Sequence, residues 1–364
     1  MVLENAAIDN PENPGILSAF CRMAIGEGRW TDALALTEKI RRSVDAKQWN
    51  EDQKKHFEIE YLDAVADIAM GQKRFDEARV HLLELQKIVP ENDRLNVRLA
   101  EVDFQQHNQD AALVRLQEAV KQNESLLPPE LILFNWNIRT QNQELADKWI
   151  KVAAEKHSDD VNVQLEIGKR LLQKGNLTDA SAWIEKAEKN NADAYLTKFI
   201  QGQIAFLRRS YRVAMSIFND LSLQRPNDFG AKNMLALCML ESGDKTKYPL
   251  AVDLATNNLR LNQRSPQAAA TLAWAYYRSG DREKANQLLS QIAQMQNVHP
   301  DAAYYIAHLV SDEGRFQEAA NLLEKSLLSA NVFLYRNNAE SMLEDLKERL
   351  AEEDPPKSDD SDKK

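Results

Sequence analysis

Few side chains in this chain stand where they could make or break a bond. The six histidines, His56, His81, His107, His157, His299 and His308, are scattered. None falls in the HExxH spacing, which sets two zinc-binding imidazoles on one helix face beside a carboxylate base. No GxGxxG or GxxxxGKS/T run offers backbone amides to a phosphate, and no GxSxG turn presents a nucleophilic serine. Acidic pairs are frequent, but a chain that is 28% charged produces them on any solvated helix. Cys21 and Cys238 are too few for a structural zinc site, and in a linear array of units they would lie too far apart in space to pair. Both sit where a helix should pack inward, so they read as inert core thiols. The expectation is a chain with no catalytic residues, no metal and no cofactor.

What remains for these side chains is binding, and composition narrows the partner. The net charge is −10, of which residues 351–364 carry −3 and the rest −7. Nonspecific nucleic-acid binding needs a basic footprint, so no nucleic acid is expected. No run of about 18 apolar residues exists, so no membrane insertion is expected. The start MVLENAAIDNPENPG has neither a basic n-region nor an apolar h-region, which points to a cytoplasmic protein.

The elements that position any binding residue are set by a repeat. Ala78, Ala112, Ala146, Ala180 and Ala214 follow one another at intervals of 34, as do Ala251, Ala285 and Ala319 after a slip of three. Ala33 precedes Ala78 by 45, which is one period and 11 more. A fixed period in the thirties means stacked supersecondary units. Around each alanine the pattern is helix, tight turn, helix, as in LAWAYYRSGDREKANQLL at 272–289 and IAHLVSDEGRFQEAANLL at 306–323. Gly and Asn at the turn suit the left-handed conformation that ends a helix. Pro90, Pro226, Pro266 and Pro300 mark the turn between units. A plain helical bundle would give the helices but no reason for the phase.

In these residues the chain resembles the tetratricopeptide repeat (TPR) superfamily. With the periodic alanine at position 20 of the 34-residue motif, position 8 is Cys21, Ala66, Ala100, Phe134, Gly168, Gly202, Ala236, Ala273 and Ala307. Position 24 is Thr37, Leu82, Leu116, Ile150, Ile184, Phe218, Ala255, Leu289 and Leu323. Phe134 and Asn258, at positions meant for small residues, are the departures. The resemblance implies an all-α fold, a right-handed superhelical solenoid of helix–turn–helix repeats with a C-terminal capping helix. Nine repeats would span 14–333, after a half-repeat remnant at 1–13. A capping helix at 334–350 and a disordered acidic tail at 351–364 would follow. The 11 extra residues near 41–53 read as an extended hairpin, with Asn50 and Gln53 forming a capping box for a helix that runs to Met70.

The resemblance also implies a groove. In the family the first helix of each repeat lines the concave face, with positions 2, 5, 9, 12 and 13 toward a ligand. Here those positions carry Glu60, Asp63 and Asp67, then Arg94 and Glu101 with Phe104, then Asn135 and Arg139. Lys169 follows with Asn162 and Gln173, then Phe199, Gln203 and Phe206, and finally Trp274, Tyr277, Tyr304 and His308. The groove is expected to be polar and mixed in charge early and aromatic late, with the aromatics as anchors. For Phe206 and Tyr277 packing against the adjacent repeat is an equal alternative. The carboxylate clamp of chaperone co-factors is not matched: Arg94 and Arg98 fit its last pair, but no repeat has Lys at position 5 and Ala64 stands where Asn is needed.

The functional expectation is a protein–protein interaction scaffold that binds a protein or peptide along this groove. The alternative is the regulatory or targeting TPR segment of a larger enzyme of glycosyltransferase or kinase type. Leu3, Ala6 and Pro11 fall in phase with an earlier repeat, so an uncapped N-terminal face open to self-association is a further expectation.

Overall fold

The computed structural model describes residues 10, 12–45, 49–90, 92–190, 192–295, 298–329 and 332–353. Among the described residues there are nineteen α-helices, one 3-10 turn and no strand. The chain divides into two compact units, Met1–His157 and Ser158–Lys364.

In the first unit α1 (Pro14–Gly26) pairs with α2 (Trp30–Asp45), and α3 (Glu51–Gly71) with α4 (Phe75–Ile88). Then α5 (Asp93–Gln105) pairs with α6 (Gln109–Gln122), and α7 (Pro129–Arg139) with α8 (Gln143–Lys156). In the second unit the pairs are α9 (Val161–Gln173) with α10 (Leu177–Lys189), and α11 (Ala194–Leu207) with α12 (Tyr211–Gln224). They continue as α13 (Phe229–Glu241) with α14 (Tyr248–Leu261), α15 (Pro266–Ser279) with α16 (Arg282–Ala293), and α17 (Pro300–Asp312) with α18 (Phe316–Leu327). A final helix, α19 (Arg336–Glu353), lies on α18.

Each hairpin turns on one left-handed residue at the same phase. These are Gly28, Lys73, His107 and Gln141 in the first unit, and Gly175, Arg209, Gly243, Gly280 and Gly314 in the second. Glycine takes this conformation freely. Lys73, His107, Gln141 and Arg209 hold it at a cost of about 1–2 kcal/mol each, so helix packing imposes the turn whatever the residue. In four hairpins the next residue caps the second helix with its side chain. Asn108, Asn142 and Asn176 accept from the amides of Ala111, Leu145 and Asp179, and Asp281 from that of Lys284. Each satisfies an amide that would otherwise lack an intrahelical partner.

The period has a packing cause. All nine periodic alanines, Ala33 to Ala319, are 0% exposed. Their small side chains let the paired helices close on one another. Where position 8 is glycine, it faces the large position-24 residue of the same hairpin. A Cβ on Gly168 would stand 2.5 Å from Ile184 Cδ1, and one on Gly202 2.6 Å from Phe218 Cζ. Asn258 is accommodated because its Nδ2 donates to the carbonyl of Phe229 at 3.1 Å, at the start of α13.

The departures from period are absorbed locally. Helix α3 is 21 residues long and starts with a capping box: Asn50 Oδ1 accepts from Gln53 N at 2.8 Å, and Gln53 Oε1 from Asn50 N at 3.1 Å. Residues 46–48 of the expected extended hairpin lie outside the described residues. A 3-10 turn at Lys245–Lys247 takes up the three-residue slip and runs into Tyr248 and Pro249 at the start of α14. At the other end, α19 begins at Arg336 rather than 334. Ala339, Leu343 and Leu346 are its buried face, Lys347 pairs with Glu324 at 2.8 Å, and Arg349 lies over Phe316. Leu3, Ala6 and Pro11, and the tail from 354 on, lie outside the described residues.

Candidate binding faces on the first helices

In the first unit the groove positions sit on a ladder of ion pairs that links each first helix to the next. Glu60 on α3 accepts from Ser18 Oγ at 2.7 Å and pairs with Arg22 Nη1 at 3.1 Å, both on α1. Arg98 on α5 donates to the Asp63 carboxylate and to Asp67 Oδ1 at 2.6 Å, both on α3. Glu101 on α5 stands 4.0 Å from Arg139 on α7. The acidic patch expected at Glu60, Asp63 and Asp67 is therefore bridged by arginines of neighbouring helices. Burial pushes the Asp67 carboxyl above the ordinary range, against the pull of Arg98. Arg94 is exposed, Asn135 is half-buried, and Phe104 is buried against Trp136 at 5.3 Å between ring centroids. An open cleft of about 400 Å³ lies here, with Ile59, Leu85, Val89 and Leu95 among its walls and Asp63, Asp67, Arg94 and Arg98 as its charged members.

In the second unit the early groove positions are more loosely engaged. Asn162 is exposed and Gln203 half-buried, Lys169 pairs with Glu166 on its own helix at 2.6 Å, and Gln173 accepts from Arg170 Nη1 at 3.2 Å. Phe199 meets Phe218 edge-on at 5.4 Å.

The late aromatics do come together, around a residue of the chain itself. Tyr335, just before α19, is 3% exposed. Its ring stacks on Tyr304 of α17 at 4.9 Å and 15°. It meets Tyr305 at 5.4 Å, Phe206 of α11 at 5.9 Å and Trp274 of α15 at 6.1 Å, all edge-on. Its hydroxyl donates to Glu241 Oε1 of α13 at 3.1 Å. One phenol is thus touched by four successive first helices, so this face of the second unit curves around it. Trp274, Tyr304 and Phe206 are only 2%, 5% and 3% exposed. They line the face beneath the chain's own Tyr335 rather than standing open to solvent. Tyr277 is half-buried, stacks on Trp274 at 5.1 Å and 10°, and donates to Asp312 Oδ2 at 2.8 Å. His308 stands edge-on to Tyr304 at 4.7 Å, and its buried Nε2 has no hydrogen-bond partner.

At the centre of this cluster lies one ion pair, Glu241 with Arg278. Glu241 also accepts from Trp274 Nε1 at 2.8 Å and from Arg278 Nη1 at 2.6 Å. Burial works against the Arg278 charge, but Glu241 more than offsets it and holds the guanidinium protonated. Burial pushes the Tyr304, Tyr305 and Tyr335 hydroxyls up and the His308 imidazole down, and it takes Tyr277 up to about 12 with the help of Asp312. Beside the cluster, Asp301 Oδ1 accepts from the amide of Leu334 at 2.8 Å.

Glu241, Arg278 and Tyr335 were missed by the sequence reading. Glu241 and Arg278 both occupy position 13 of their repeats, a groove position, so the signal was present. Tyr335 had none, because it lies beyond the last repeat and reaches the cluster only through tertiary structure.

Residues 244–326 match the family described as anaphase-promoting complex, cyclosome, subunit 3. No curated protein matches the chain in sequence. Among solved structures, a monomeric mutant of IFIT1 with Gppp-AAAA is 13% identical, with 97% of this chain and 87% of that chain covered and a TM-score of 0.50. Yeast Tom70 is 14% identical over 97% of this chain and 86% of its own, with a TM-score of 0.43. A thermophilic TPR protein from Thermus thermophilus is 19% identical over 53% of this chain and 98% of its own, with a TM-score of 0.42. The fold is an all-α array of tetratricopeptide-type repeats. Among the described residues, no helix is long and apolar enough to cross a membrane, and no cluster of three or more His, Cys, Asp or Glu could hold a metal ion.

Proposed function

We propose that this tetratricopeptide-type array is a non-catalytic scaffold that holds a protein or peptide partner along its first helices. One observation carries the reading: the open cleft of the first unit, with an apolar wall and a rim charged in both signs. An extended peptide can bury side chains against Ile59, Leu85 and Val89 while Arg94 and the Asp63–Arg98 pair select among its charges. Such rim charges act mainly on association rate and specificity. Stacked hairpins offer a surface of this kind, not an enclosed reaction chamber. The match of residues 244–326 to a family named for one subunit of a multi-protein complex also supports a protein as partner. The residues proposed to meet it are Glu60, Asp63, Asp67, Arg94, Glu101, Asn135 and Arg139 in the first unit, and Lys169, Phe199 and Gln203 in the second.

Affinity capture with the intact chain, quantified by mass spectrometry, tests this reading. The double variant Arg94→Glu/Arg139→Glu should lose partners that the parent captures. Glu185→Lys, an exposed change on the second helix α10, should keep them. Equal effects from both variants, or from neither, would move the site off the first helices.

A further inference from the structure

The inner face of the second unit is filled by Val332–Tyr335, a non-helical stretch between α18 and α19. It is held through both backbone and side chain, as a peptide ligand is held. Its Leu334 amide donates to the buried carboxyl of Asp301 at 2.8 Å. Its phenol enters an aromatic box and reaches a carboxylate, Glu241, at 3.1 Å.

Three features set this contact apart from ordinary core packing. A cavity of about 60 Å³ remains between the segment and the residues around Phe206, Arg209 and Tyr211. It is partly open to solvent, so the segment does not seal the face on this side. The box also buries one polar atom that the segment does not use, His308 Nε2. An unpaired buried polar atom is costly and calls for an explanation. Finally, α19 has its own hold on α18 through Ala339, Leu343, Leu346 and the Lys347–Glu324 pair. The segment can therefore leave the face while the helix stays.

We propose that this face is a second binding groove, for a protein segment bearing a tyrosine, and that the chain's own Val332–Tyr335 occupies it as a tethered competitor. The idea rests on the reading of first-helix faces as partner-binding faces. The incoming tyrosine takes the box and the bond to Glu241, and a polar group beside it pairs with His308. A short tether presents its segment at about millimolar effective concentration, so the parent chain resists all but tight or abundant partners.

The probe is a fluorescein-labelled peptide with the sequence of residues 332–338, VFLYRNN, followed by anisotropy. Tyr335→Ala should bind it about tenfold or more tightly than the parent does. Adding Glu241→Gln should weaken that binding again, and the same peptide with alanine for tyrosine should not bind. Equal binding by parent and Tyr335→Ala, with unchanged helical circular dichroism, overturns the proposal. Should Tyr335→Ala not fold, hydrogen exchange on the parent decides. The Leu334 and Tyr335 amides should exchange through a local opening, faster than those of Ala273 and Ala307; exchange only on global unfolding overturns the proposal. No arm touches the first-unit cleft, so its failure and that of the capture experiment are separable.

Discussion

Asp301 fixes the place where the chain turns back on its last hairpin. Its carboxyl is buried, 3.5 Å from His299 Nδ1 and within reach of the Leu334 and Tyr335 amides. Burial pushes it up to about 7, although those amides pull the other way. The sign of the consequence follows from linkage. From about pH 4 to about pH 7 the unfolded chain gives up this proton before the folded chain does, so this group costs stability as pH rises through that window. Below it the cost is absent, and above it the cost is complete. Asp301→Asn keeps a carbonyl acceptor and removes the titration. Urea midpoints across the window should show the variant gaining on the parent as pH rises; parallel profiles would mean that Asp301 is already ionised at low pH. None of this was legible in the sequence, where Asp301 is one more acid near a helix start. Its environment comes from Leu334, 33 residues away, which periodicity does not report.

The helices and their pairing were the most legible level. The small residues that keep the phase are those that permit close approach, so one physical requirement writes itself into the sequence nine times. Gly202 tests that requirement. Alanine is about 0.8–1.0 kcal/mol better than glycine within a helix. Here, however, its Cβ would stand 2.6 Å from Phe218 Cζ, and Phe218 is fully buried. Overpacking typically costs about 1–3 kcal/mol, so Gly202→Ala should be neutral to destabilising by up to about 2 kcal/mol in denaturant unfolding. A clear gain in stability would show that this hairpin is looser than the geometry implies. The turns were less legible: the motif suggested Gly or Asn, yet four of the nine left-handed positions carry Lys, His, Gln or Arg. Packing outweighs a local preference of about 1–2 kcal/mol, and a reading from residue type underestimates it.

At the scale of the whole molecule, the two units carry their first-helix faces in different states. The first unit keeps an open, charge-rimmed cleft. The second fills its aromatic face with Tyr335. Motif position placed Trp274, Tyr304 and Phe206 on first helices but could not say that the chain itself would cover them. Exposure depends on what lies above a face, and that segment falls outside the repeat. The central claim is that partners dock on first helices. Carboxyl footprinting of the intact chain, with and without a captured partner, tests it most directly. Labelling should fall at Asp63 and Glu101, on α3 and α5, and stay constant at Asp32 and Asp110, on α2 and α6. Protection at Asp32 and Asp110 with Asp63 and Glu101 unchanged would contradict the account.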